Sequence, residues 1–416
     1  MGKAVYSTKC KGIGGQIKRR YSDFIVEEKT KAGRICKVER FLGEGKGATK
    51  ISVPENSGEK DFLYLDLEKI NKDLNYCIRK ISRFLQCSKK RVGYAGLKDK
   101  RAITCQRISI FQPNIERLEA FNSRGIDLRN PKWESERIEI GDLQGNVFTV
   151  VIRDIELDEK ELKKRVGRCF EEIEKNGIAN FFGEQRFGGI RKITHLVGKE
   201  FIKGNPEKAV MLYLTATCPE EEEEVKQARI QLLESRDFSR ASKSFPVKYR
   251  YERALIHHLC KYPKDFVGAF RKLPKALCYL FTHAYQSHLF NRVIEERIKL
   301  GFGLKEVKGD ILLEKEPTAP LFGFESRFAG EKAGDIERKV LEEEGISLGD
   351  FKVKEIPELS SKGARKKIVL HPKKLKLLGV GEDEFFAGKR FARVSFELEK
   401  GAYATTVLRE LMKAET

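Results

Sequence analysis

One carboxylate set among cations is the feature of this chain most able to do chemistry. Asp99 stands in Tyr94-Ala95-Gly96-Leu97-Lys98-Asp99-Lys100-Arg101-Ala102-Ile103-Thr104-Cys105-Gln106. Neighbouring cations favour the ionised form of a carboxylate and keep it available as a nucleophile or base. A solvated turn aspartate beside solvated basics fits the same local pattern. A second stretch, Asn180-Phe181-Phe182-Gly183-Glu184-Gln185-Arg186-Phe187-Gly188-Gly189, sets three aromatics beside amide, guanidinium and glycine groups. Aromatics stack on a base, an Asn reads a Watson–Crick edge, and Gly admits close backbone approach. A core aromatic cluster with a polar rim fits equally. In a third stretch, Gly401 to Leu411, Tyr403 follows an expected strand end and either faces a pocket or closes the core.

Other chemistries find little support. The sequence has no phosphate-loop pattern, and Gly12-Ile13-Gly14-Gly15 lacks the spacing of a dinucleotide fingerprint. His257 and His258 are adjacent and His283 and His288 are five apart, both poor spacings for a metal on a helix. The nine cysteines are odd in number and include no C-x-x-C pair, a pattern of reduced thiols that suits the cytoplasm.

These residues need a scaffold, and composition bounds it. The 416 residues are 40% hydrophobic and 35% charged, enough for a real core and for two to three domains. No apolar run reaches the ~18 residues of a membrane span, and the N-terminus lacks the apolar stretch of a secretory signal. The net charge of +20 favours a polyanionic partner.

Periodicity then predicts the elements. Leu67, Ile70, Leu74, Ile78, Ile81 and Leu85 recur at helical spacing, and Thr104–Phe111 alternates as a strand. Ile138–Arg153 reads as two strands around the turn-rich Gly141–Asn146. Leu162 to Ile173 forms a helical face that Gly177 closes. Helices follow near 206–216, 222–234, 250–261 and 276–300, and Gly301–Lys367 reads as loop-laden. The acidic run Glu220–Glu224 is expected as a solvated helix start. The basic cluster from Lys362 to Lys376 suits a phosphate-contacting surface or a merely solvated one. Val394 to Leu398 returns to strand alternation, and Thr405–Lys413 reads as a short terminal helix. The change of texture near 205 and again near 380 predicts an α+β fold with a helical insertion.

With these motifs in order along nearly the whole chain, the sequence resembles the tRNA pseudouridine synthase D family. Gly96 to Gln106 resembles that family's G-x-K-D-[RK]-x-A-x-T-x-Q motif, and Asn180 to Gly188 its N-[YF]-F-G-x-Q-R-F-G motif. Asp23-Phe24-Ile25-Val26-Glu27, Gly141 to Phe148, Ala284 to Asn291 and Ala402-Tyr403-Ala404-Thr405 are further matches. Phe181 stands where Tyr is common, and Tyr403 where Phe also occurs; both keep a π-face.

The resemblance implies a pseudouridine synthase catalytic domain with a mixed or antiparallel sheet, built from residues 1–205 and 378–416. A helix-rich α+β family-specific domain, 206–377, is inserted within it. It implies isomerisation of uridine to pseudouridine in tRNA, at position 13 of the D arm, without a cofactor or metal. Asp99 matches the catalytic aspartate. Phe24, Asn180 and Tyr403 match residues that line the nucleotide pocket, and Lys18 matches a basic residue near it. Lys18 and Arg409 are the candidates for a basic partner of Asp99. The expected protein is a cytoplasmic monomer whose partner is tRNA. Two readings compete with this one: an inactive RNA-binding protein of the same fold, and a synthase acting on another RNA. A methyltransferase and a basic structural protein fit less well.

Overall fold

The computed structural model describes residues 5–42, 51–56 and 58–413. These divide into two units: residues 8–178 with 371–413, and residues 5–7 with 179–370.

The first unit is built on β1 (Phe24–Thr30), β2 (Phe62–Ile70), β3 (Val92–Tyr94), β4 (Ile103–Phe111), β5 (Ile126–Glu134), β6 (Leu143–Ile155), β7 (Lys373–Glu382) and β8 (Arg390–Glu399). They form one eight-stranded sheet in the order β7-β8-β6-β1-β4-β2-β5, with β3 also on β4. β1 and β4 run parallel, and the other pairs are antiparallel, so the sheet is mixed as expected. Both ends of the chain contribute, since β8 pairs along β6.

Alternation explains one face. Leu63, Leu65 and Leu67 are fully buried against helix α1 (Leu74–Phe84), which buries Leu74, Cys77, Ile78 and Ile81. The expected helix from Leu67 is therefore shorter than its periodicity suggested. Leu67 and Ile70 belong to β2, and α1 begins only where Asp73 accepts a hydrogen bond from the Tyr76 N–H. The spacing 67, 70, 74 imitates a helix across a strand end and a turn at Asn71, whose φ is +48°.

The opposite face is ionic. Asp66, Glu68 and Asp127 are buried and paired with Arg34, Arg107, Arg129 and Arg40. Backbone N–H groups of Glu39, Arg40 and Phe41 also donate to Glu68, which straps that segment over the sheet. Buried carboxylates persist only when satisfied in this way.

A second expectation also changes. Ile138–Arg153 is not two strands; Leu143–Ile155 is one long strand, preceded by a turn in which the Glu139 N–H donates to Asp142. Gly145 lies inside β6, where a Cβ would stand 2.0 Å from the Leu398 carbonyl. Its glycine serves close strand packing, not a bend. Helix α2 (Glu159–Asn176) ends as expected at Gly177, φ +66°.

The second unit is helical. It contains α3 (Thr194–Ile202), then Pro206–Thr215, Glu223–Ser235 and Arg250–Lys261, α4 (Lys275–Lys299) and α5 (Glu331–Glu344). A small sheet joins Ala364–Lys367, Glu316–Leu321 and Leu312–Leu313. α5 lies in the stretch expected to be loop; its apolar face (Ala333, Ile336, Val340, Leu341) is diluted by charges in sequence. Glu221, expected to be solvated, turns its side chain inward to the buried Arg229 at 3.1 Å.

The two units divide at 178/179 and 370/371, where the resemblance implied 205/206 and 377/378. α3 joins the second unit because it packs on α4, so closely that a Cβ on Gly198 would stand 2.1 Å from the Phe281 carbonyl. At the other boundary, Lys373 already pairs with Glu397 in the large sheet. Among the described residues no helix is long and apolar enough to cross a membrane.

Candidate active site

The N-terminal segment delivers the first site residue. Gln16 exchanges backbone hydrogen bonds with Arg153 of β6 at 2.8 and 2.9 Å. Gly15 precedes it with φ +86°, where a Cβ would stand 2.5 Å from the Arg153 carbonyl. Lys18 itself is left-handed, φ +63°, a conformation that costs a non-glycine residue about 1 kcal/mol. It carries the ammonium to 4.1 Å from the Phe24 ring centroid and 3.4 Å from Asp99 Oδ1. Phe24 opens β1, is 1% exposed, and meets Phe148 edge-on. Its neighbour Asp23 is clamped by the Arg153 guanidinium at 2.8 and 3.0 Å. Lys18, Phe24 and Asp99 are thus gathered from three separate stretches of chain.

Asp99 rides the loop between β3 and β4, and that loop is tied at several points. Lys69 Nζ donates to the Asp99 carbonyl at 2.7 Å. Gln106 Nε2 donates to the Gly96 carbonyl at 3.0 Å, and the Asn71 N–H to the Ala102 carbonyl at 3.2 Å. The carboxylate itself stays 30% exposed and reachable.

The cations flanking Asp99 in sequence are not its partners. Lys98 turns inward to Glu28 at 2.6 Å, a pair almost wholly buried, and burial raises the Glu28 pKa. Lys100 and Arg101 are exposed. The basic partner is Lys18. The other candidate, Arg409, lies in the terminal helix Ala404–Met412, 3.7 Å from Glu410.

Lys69 was missing from the sequence reading. It is fully buried, and burial pulls its pKa down to about 8. The signal was present: in strand register, the apolar row Leu63, Leu65, Leu67 continues into Lys69. Reading residues 67 and 70 as helix hid it.

Asn180 belongs to the second unit and is placed by it. Its N–H donates to the Ile368 carbonyl at 2.8 Å and its side-chain amide to the Lys367 carbonyl at 3.0 Å. Two motifs interlock here. Asn291 on α4 accepts from the Phe182 N–H at 2.9 Å and donates to the Phe182 carbonyl at 3.0 Å. Ser287 accepts from Arg186, Phe290 meets Phe182 edge-on, and Phe187 packs on His288 and His195. The aromatics of this motif are therefore packing groups, and the motif at 284–291 is their scaffold. Lys366 Nζ lies 5.0 and 5.1 Å from the Phe182 and Phe290 rings and donates to the Asn180 carbonyl at 3.3 Å. Burial lowers its pKa to about 7.

Tyr403 stands half-buried at the start of the terminal helix, where its carbonyl accepts from the Thr406 N–H at 3.0 Å.

The chain is similar to known proteins along its whole length. The family described as tRNA pseudouridine synthase D matches residues 1–317 and 313–411. The tRNA pseudouridine synthase D of Methanococcoides burtonii is 38% identical over all of this chain and 97% of its own. That of Methanocaldococcus jannaschii is 35% identical over 96% of each. A crystal structure of the Methanosarcina mazei tRNA pseudouridine synthase D superposes with a TM-score of 0.82 at 37% identity, covering 100% of this chain and 97% of that one. Fold, motif order and full-length similarity together make this chain a member of the tRNA pseudouridine synthase D family.

Proposed function

We propose that the protein isomerises uridine to pseudouridine in tRNA, at position 13 of the D arm, with Asp99 as the catalytic carboxylate. The reaction breaks the N1–C1′ bond, turns the uracil and joins C5 to C1′. N1 gains a proton and C5 loses one, so no electrons enter or leave. A carboxylate can serve as nucleophile or base for such a step without a redox or metal centre. The observation that carries this reading is Asp99 itself: partly exposed at its side chain, anchored at its backbone by Lys69, and ion-paired with Lys18.

Each side chain then has a task. Lys18 pins the carboxylate between substrate and sheet, and Phe24 holds the ammonium from below. The target uridine must leave its stack, and Asn180 and Tyr403 are the groups proposed to hold it once flipped. The test is pseudouridine mapping on unmodified tRNA without added cofactor. Wild type is expected to modify one D-arm uridine and Asp99→Ala none. Modification by Asp99→Ala, or a product elsewhere in the tRNA, would overturn the assignment of residue or of site.

A further inference from the structure

Residues 71–101 hold ten basic side chains and two acidic ones. Three of the ten have partners: Lys98 pairs with Glu28, Arg91 binds the Phe111 and Gln112 carbonyls, and Lys72 lies over Tyr76. The others are exposed. Arg79, Lys80 and Arg83 occupy the outer face of α1, and Lys89 and Lys90 follow on the short turn of helix at 89–91. Lys100 and Arg101 flank Asp99. Among the described residues none of these seven has a carboxylate within ion-pair distance.

Two other basic stretches are more fully paired. On α2, Lys163 and Arg165 pair with Glu159 and Glu161 one turn away. In the cluster at 362–376, Lys362, Arg365, Lys367, Lys373 and Lys374 each meet a carboxylate. A helix dipole welcomes cations in its last turn, which accounts for Arg83. It does not account for Lys89, Lys90, Lys100 or Arg101, and crowding like charges on one surface is unfavourable unless an anion is to arrive.

The start of α1 is tied to the loop that carries Asp99. α1 covers the sheet face that carries Leu63, Leu65 and Leu67, and Lys69 on that row holds the Asp99 carbonyl. Asn71, at the entry to α1, is bonded to Ala102 at the far end of the Asp99 loop.

We infer that the outer face of α1, extended by Lys89–Lys90 and by Lys100–Arg101, is a phosphate-contacting surface that docks the body of the RNA whose uridine reaches Asp99. The inference rests on the proposed RNA substrate. It assigns to the catalytic unit a docking function of its own.

The test uses the full chain and an unmodified tRNA transcript. Arg79→Gln/Lys80→Gln/Arg83→Gln is compared with wild type for binding across a salt series and for steady-state pseudouridine formation. Glutamine keeps helix propensity, and circular dichroism confirms the fold. Lost phosphate contacts lower affinity about tenfold or more at low salt and flatten the slope of log K against log salt by about 2. KM rises and kcat stays within about twofold. Lys362→Gln/Lys367→Gln serves as the control and leaves the slope unchanged. An α1 variant with wild-type slope and KM overturns the inference, as does an equal effect from the control. Failure of the parent reading looks different: wild type would bind tRNA and form no pseudouridine, while the slopes still judge the surface.

Discussion

Two basic stretches that look alike in sequence are paired to very different degrees in the folded chain. Residues 362–376 contain seven basic side chains and no acidic one, a denser run than residues 71–101. Yet Arg365 is spent on Glu337 and Thr318, Lys366 lies under two phenylalanine rings, and Lys367 reaches Glu314. Lys373 and Lys374 meet Glu399 and Glu397 on the neighbouring strand. On α1 and its continuation the cations face solvent alone. The difference teaches that local charge density says little about field. A cation's partner is chosen across the sheet or from a distant helix, tens to hundreds of residues away, and only unpartnered cations project potential outward.

The sharpest cut through this contrast is Asp99→Ala. It is expected to lower pseudouridine formation by roughly a thousandfold or more, while tRNA affinity and its salt slope stay near wild type. Rapid-quench turnover beside filter binding would show it; a large loss of affinity would mean that the carboxylate, not the bare cations, organises binding.

Next in size is a stability difference. Arg365→Ala leaves Glu337, 2% exposed, without its guanidinium, at a cost of about 3 kcal/mol in denaturant unfolding. Arg79→Ala should stay within about 0.5 kcal/mol, because nothing buried depends on it. Equal losses would erase the distinction between a spent and a free cation.

Lys69 is a third kind of cation, buried with only a carbonyl and distant charges for company. Its folded pKa, about 8, lies below the ordinary lysine value of 10.5. Between those two pH values the unfolded chain holds a proton that the folded chain has lost. Stability from this group therefore rises with pH across that window and is lowest below pH 8. Wild type should gain up to about 3 kcal/mol over Lys69→Met between pH 8 and 10.5 in paired unfolding titrations. A difference that is flat in pH would mean the amine keeps its proton throughout.

The smallest expected effect is that of Lys367→Gln. Its pair with Glu314 is partly exposed, so stability should move by less than about 1 kcal/mol and tRNA affinity by less than twofold.

Much of the candidate site was legible before folding. The motif around Asp99 named the carboxylate, and the resemblance marked Lys18 and Phe24 beside it. Helix ends at Asn176 and Lys261 followed the apolar periods closely, and the alternation from Val394 to Leu398 lies within the strand Arg390–Glu399. Errors came where one pattern could serve two geometries. The spacing from Leu67 to Leu74 suited a helix and was a strand turning into one. Gly145 suggested a turn and was a close strand contact. The aromatics after Asn180 suited a stacking platform and were packed against α4.

What the sequence determined by itself was the inventory: a carboxylate among cations, motifs in family order, two textures of chain and a large positive charge. Those depend on residue type and spacing, which are local. Only the tertiary structure decided the partnerships. It turned Lys98 away from Asp99 and brought Lys18 to it from 81 residues upstream. It slid Lys69 under the loop, and it separated the cations that are spent from those left to face solvent. Burial and ion pairing are set by what lies across the sheet, and no period in the chain records that.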